Sequence, residues 1–415
     1  MHTPPRASGG LAALGVLALC FLMNALARGV GETYAVFLLP IGGETGWDRG
    51  ALTSVYSIYM AATGLASPFV GLAFDRFGPR VLYLFGLLSL GGGFALASGM
   101  THLWQLYLSV GLMGGLGIAA LGMIPASALI SRWFDVRLAS AMAVASAGLG
   151  TGTLALAPVA QLLVEHQGWR EAYVFLGGGV LLLAVPTALL PWRRIEKGRV
   201  AHQTIQPVSG SIGRGGPMLA QAIRTRPFWA LFGVYFFTAV GVFAVSLQSV
   251  AYLVEHGFAP LQAAGAFGFT GMLSIVGMLV TGAAADRYGN RITATISYLC
   301  TLTGIAALFL VQAVPGFALV VVFVLFFGVS MGARGPIVST VSATLFAGRG
   351  MGAIFGTIAT GQGLGAALGS WLAGRLHDAT GGYDVGFLMS SGFVLVAITL
   401  FWTVPELKAR RERHA

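Results

Sequence analysis

Long apolar runs constrain this chain more than any other feature. A helix that crosses the roughly 30 Å hydrocarbon core of a bilayer needs about 20 apolar residues. Such runs lie at 11–39, 50–74, 81–100, 103–130, 138–164 and 172–190, and again at 228–254, 261–285, 292–314, 317–345, 351–372 and 385–404. Charge is too sparse for a water-soluble alternative. Asp, Glu, Lys and Arg make up 9% of the 415 residues, against roughly 25% in soluble domains. The expected fold class is therefore an all-α membrane protein with twelve transmembrane helices.

Basic residues set the orientation, because cytoplasmic loops are enriched in them. With the N-terminus inside, 19 of the 24 Lys and Arg residues fall on the cytoplasmic side, while Arg28 and Arg334 lie within spans. The acids divide almost evenly, so the net charge of +10 is a topology signal. A nucleic-acid partner would need clustered basic residues on a soluble face, and no such cluster is written here. The reading is a multi-pass protein of an inner (plasma) membrane, with both termini cytoplasmic and the bilayer as its partner. The first apolar run is too long for a signal-peptide core and is expected to be retained. Cys20 and Cys300 fall inside spans, and the seven His residues scatter over loops, helix ends and tails. No metal site and no cofactor are expected.

A charged decapeptide appears twice. "GLAFDRFGPR" contributes Gly71, Asp75, Arg76, Gly78 and Arg80, and "GAAADRYGNR" contributes Gly282, Asp286, Arg287, Gly289 and Arg291, 211 positions later. Pro125 and Pro336 keep the same spacing. The polar stretch 193–227 separates the two copies and divides the chain into an N-terminal six-helix bundle (1–192) and a C-terminal one (228–404), with a tail at 405–415. Residues 217–226 could form a short interfacial helix. Internal symmetry of this kind suits transporters that hold substrate between two halves near midplane. The decapeptide Asp can accept hydrogen bonds from a helix N-terminus, so the two copies read as gating latches at the cytoplasmic surface.

The same decapeptides resemble the loop signature of the major facilitator superfamily, and the likeness extends over all twelve spans. "GETGWDRG", "TRPFW", "GARGP" and "LFAGRGMGAIFG" resemble, more narrowly, its oxalate/formate antiporter and monocarboxylate porter branch. The resemblance implies two pseudo-symmetric bundles and a small organic anion, exchanged or carried with protons. That branch places basic substrate ligands in spans eight and eleven. Here span eight has no charge and span eleven offers only Gln362, which favours one carboxylate, or a less charged substrate, over a dicarboxylate.

Ionisable residues inside spans are costly and mark pathways. Arg28 and Glu32 sit four apart in span one and share a helix face. They are either a self-neutralising pair or an anion attractor beside a proton-coupling carboxylate, placed towards the outer half of the span. Arg334 either braces the kink at Gly335-Pro336 or binds a carboxylate through its planar fork. Asn24, Tyr56, Tyr59, Gln248, Tyr252 and Gln362 are further substrate-binding candidates, each with helix-to-helix glue as the plainer role. Glycines at four-residue spacing, Gly361, Gly365 and Gly369, read as a packing surface. The leading function is secondary active transport of a small organic anion by a protein expected to work as a monomer. Efflux of an amphipathic solute is the alternative, and a non-transporting receptor the second alternative. No catalytic constellation points to an enzyme.

Overall fold

The computed structural model describes residues 8–134, 138–197, 219–314, 316–346 and 351–404. Most of the expected linker (198–218) and the tail 405–415 lie outside the described residues. Every regular element is helical, as lipid demands, because backbone polar groups have no water to bond there. The first crossing is α1 (Ser8–Glu32) followed by α2 (Tyr34–Thr45). Next come α3 (Arg49–Ala97), α4 (Leu103–Leu106), a π-helical stretch at Tyr107–Gly114, α5 (Gly115–Leu121) and α6 (Met123–Ile130). The first half closes with α7 (Leu138–Leu189) and α8 (Trp192–Lys197). The second half holds α9 (Leu219–Ala222), α10 (Arg226–Glu255), α11 (Pro260–Tyr288) and α12 (Asn290–Leu310), then α13 (Phe317–Leu345), α14 (Met351–Thr380) and α15 (Asp384–Thr403). Four residues, α9, are helical within the segment expected to form an interfacial helix.

Nine helices among the described residues are long and apolar enough to cross a bilayer. Two of them, 49 and 50 residues long, have twice the length one crossing needs. Each is two helices joined at one glycine, Gly78 (φ 78°, ψ 170°) in α3 and Gly168 (φ 82°, ψ 164°) in α7. Glycine-rich α14, 30 residues long, is not one of the nine but packs along α3 and α10.

Gly78 has a structural twin. Gly289 (φ 87°, ψ 155°) separates α11 from α12, at the same place in the second decapeptide. Positive φ is open to glycine because it has no Cβ to collide with the carbonyl. A single residue therefore turns the chain, and no loop is needed.

Within the first half, α1 packs on α7, and α3 on α5 and the π-helical stretch; within the second, α10 packs on α14 and α15, and α13 on α11 and α12. The halves meet where α3 lies on α14 and α7 on α11. Glycine permits these approaches, as expected for Gly361, Gly365 and Gly369, which face the α10 backbone at Phe232, Phe236 and Val240. Large apolar side chains on the outside, Phe69, Leu72, Leu182 and Leu189 among them, are exposed to the surroundings. In a bilayer those surroundings are acyl chains.

Candidate functional site

The first crossing breaks at Thr33, which lies between α1 and α2. Its hydroxyl and its backbone N–H both donate to the Val30 carbonyl, at 2.6 and 3.2 Å. Irregular backbone at membrane depth is tolerated where it lines a cavity or is buried in protein. The apolar crossing runs from Ala12 to Thr45, longer than the apolar run alone suggested. Arg28 and Glu32 lie in α1 just before this break.

Both line a chamber of about 190 Å³. Its wall also carries Arg334 and Gly335 of α13, Gln362 of α14, Thr270 and Ser274 of α11, and Thr153 of α7. Larger hollows of about 460 and 360 Å³ open elsewhere. The first is mostly apolar, with Arg194 and Thr187 at its wall, and the second is wholly apolar, with Phe69, Phe77 and Phe85. The smaller chamber draws on both halves and holds all three intramembrane ions.

Two of those ions neutralise each other. Arg28 Nε lies 2.9 Å from Glu32 Oε1, an electrostatic contact without hydrogen-bond alignment. Tyr56 Oη donates to Glu32 Oε2 at 2.9 Å, and Tyr59 stacks on Tyr56 with ring centroids 5.1 Å apart. The Arg28 side chain is 32% exposed and its guanidinium faces the Phe243 ring of the second half, 5.8 Å away. Arg334 differs. It is 5% exposed, and its Nε and Nη2 have no hydrogen-bond partner. The phenols of Tyr235 and Tyr298 lie within electrostatic range of it, and the Tyr298 hydroxyl is also without a partner.

The other candidates divide. Gln362 lines the chamber, and Tyr56 and Tyr59 back it through Glu32. Gln248 is buried on α10 with neither amide atom bonded. Asn24 ties α1 to α7 through a 3.2 Å bond to the Ala145 carbonyl, and Tyr252 ties α10 to α12 through Leu308 O at 2.9 Å. Both bonds run between helices, and Asn24 Oδ1 is left without a partner. Thr153, Thr270 and Ser274, which sequence reasoning passed over, contribute hydroxyls to the wall; isolated Ser and Thr in apolar helices carry no signal of their facing.

The decapeptide arginines bond within their own halves. Arg80 Nη2 donates to Ala188 O at 3.3 Å near the end of α7. Arg291 donates to Phe401 O at 2.7 Å and Trp402 O at 3.1 Å near the end of α15. Each thus satisfies carbonyls that a helix end leaves free. Arg76 and Arg287 each stack on the aromatic residue that follows, Phe77 and Tyr288. Asp75 is exposed and makes no ion pair or hydrogen bond among the described residues; the Asp286 side chain lies outside them. A Cβ at Gly71 or Gly282 would meet nothing within 4 Å. No group of three or more His, Cys, Asp or Glu residues that could hold a metal occurs among the described residues.

Apolar helices long enough to cross a bilayer surround a small charged chamber, which fits a multi-pass membrane protein. The chain belongs to the Major Facilitator Superfamily, whose model matches residues 17–359. It is 30% identical to Monocarboxylate transporter 13 of Bos taurus, over 97% of this chain and 91% of that one. It is 27% identical to Monocarboxylate transporter 12 of Mus musculus (96% and 86%) and 28% identical to Monocarboxylate transporter 3 of Rattus norvegicus (95% and 79%). The protein is a secondary transporter of that superfamily, related to the monocarboxylate transporters, and the family implies the twelve-helix fold.

Proposed function

We propose that the protein carries a small monocarboxylate by alternating access, coupled to protons or to exchange of a second anion. One observation carries this reading: Arg334 is buried at the chamber wall with two guanidinium nitrogens unpartnered. An unpaired buried charge is costly, and a carboxylate supplies the bidentate partner that its fork fits. Until Glu32 takes a proton it offsets Arg28, so the three ions leave the chamber one positive charge. A single carboxylate balances it; a dicarboxylate overshoots. The volume of about 190 Å³ is below the roughly 300–1,000 Å³ of sites for drug-sized ligands, which weighs against an amphipathic cargo. The relatives' names point the same way.

In this reading the twelve spans form two six-helix bundles, 1–192 and 228–404, joined by 193–227 and followed by the tail 405–415. Both termini are cytoplasmic and the membrane is the inner one, so the end of the molecule bearing Arg49 and Glu255 faces outward. Gln362 supplies a neutral hydrogen bond to the cargo, and Glu32 takes the proton. The decapeptides gate the inner face when the halves close there. A monomer suffices. Uptake of labelled monocarboxylates into proteoliposomes under an imposed pH gradient tests the scheme. Glu32→Gln is expected to abolish gradient-driven accumulation while exchange persists; intact accumulation removes Glu32 from the proton path.

A further inference from the structure

The 211-residue period also relates Glu44 to Glu255. Each Glu is followed by a glycine of positive φ, Gly46 (69°) and Gly257 (89°), and then an aromatic residue, Trp47 and Phe258. Each also accepts a hydrogen bond from the aromatic residue of a Gly-aromatic pair farther along its own half. Trp169 Nε1 donates to Glu44 Oε2, and Tyr383 Oη donates to Glu255 Oε2 at 2.7 Å. To this point the halves are copies.

They then diverge at the next residue. In the first half it is Arg170, which binds Glu44 Oε1 at 3.0 Å and the carbonyls of Ser98 and Met100 at 2.8 and 2.9 Å. Glu44 is thereby tied to its own half. In the second half that residue is Asp384, which has no cation to offer. The free oxygen of Glu255, Oε1, is taken by Arg49 Nη2 from the opposite half. The counterpart of Arg49 one repeat later is Pro260, so no reciprocal arm reaches Glu44.

A second contact reinforces this one. Asp378 of α14 accepts from the backbone N–H groups of Arg49 at 2.9 Å and Gly50 at 2.6 Å. These are the free donors at the start of α3, where the helix dipole favours an anion. Asp48, the residue in the capping position, makes no side-chain cap bond. A carboxylate from the other half caps the helix instead. A Cβ on Gly50 would come within 2.7 Å of Asp378 Oδ2 and Arg375 Cδ, so the seam is closed tightly.

We infer that this departure from the repeat, Asp384 and Pro260 standing where the first half has Arg170 and Arg49, creates the lock that holds the Arg49 face shut. Arg49 is its key, Glu255 and Asp378 are its two receiving sites, and Tyr383 orients Glu255. The inference rests on alternating access but not on which solute is carried.

The test is the labelling rate of a chamber cysteine, Ser274→Cys with Cys20→Ala and Cys300→Ala, by an impermeant maleimide applied to either face of reconstituted full-length protein. With the lock intact, labelling from the Arg49 face is slow. Arg49→Ala and Glu255→Gln are expected to speed it about tenfold or more. Asp384→Arg, which restores the first-half pattern and competes for Glu255, is expected to do the same, whereas Asp384→Asn is not. The charge exchange Arg49→Glu with Glu255→Arg should return the slow rate, which separates a lost lock from a damaged fold. An unchanged rate in Arg49→Ala, or no recovery in the exchange, overturns the lock. If the unmodified chamber is reached from neither face, the alternating-access reading falls as well.

Discussion

Two arginines of one chamber are held differently because of one neighbour. Arg28 has Glu32 one helical turn away, and Arg334 forms no ion pair among the described residues. Charge-assisted hydrogen bonds are worth about 1.5–3 kcal/mol each, and 1.4 kcal/mol is tenfold in affinity. Arg334→Gln is therefore expected to weaken binding of a monocarboxylate by about 10- to 100-fold in a calorimetric titration. Arg334→Lys keeps the charge but not the fork, and should fall between wild type and Gln. Equal affinity in all three would place the anion elsewhere. Sequence alone singles out these ions because charge inside a span is rare. It could not tell which was satisfied, since that depends on how each helix is rotated against its neighbours.

At the level of elements, glycine has two separate duties in the decapeptides. Gly78 and Gly289 turn the chain at positive φ, so Gly289→Val should destabilise the protein by about 1–2 kcal/mol, read as a lower thermal midpoint. Gly71 and Gly282 face open space. Gly71→Leu is thus expected to leave the midpoint nearly unchanged while reducing turnover, because the proposed gate must close over that position. A normal turnover would argue that the two halves never meet there. The repetition of the motif was legible from spacing, and so was its place at a turn. Which of its side chains bond within a half, and which are reserved for the other conformation, was not, because the partners of Arg80 and Arg291 lie about 110 residues away.

The whole molecule is held closed at one face by charges from distant parts of the chain. His377, beyond the apolar run 351–372, sits in that cluster with its ring 4.7 Å from Tyr383 and Asp378 3.9 Å away. Burial, then the charge of Arg49, lowers its pKa below the ordinary 6.5, against the opposing pull of Glu255 and Asp378. A proton therefore binds the locked form less readily than an open form with an ordinary His, and acidification through about pH 6.5 should favour opening. Labelling from the Arg49 face, divided at each pH by the rate of an exposed reference cysteine so that loss of thiolate cancels, is expected to rise between pH 7.5 and 5.5, and His377→Gln should flatten that rise. A fall of this normalised rate with acid would reverse the assignment.

The sequence by itself determined the helical class, the bilayer, the doubled motif and the three ions within spans. Those follow from local chemistry: hydrocarbon forces each apolar run to satisfy its own backbone, and a repeated motif is visible at fixed spacing. Tertiary structure alone decided that Arg334 stands unpartnered in a shared chamber, that Asn24 and Tyr252 bind helices together, and that Arg49 crosses to Glu255. Those contacts join residues as many as 206 positions apart. Their existence depends on how distant helices rotate and tilt against each other, and no local pattern encodes that.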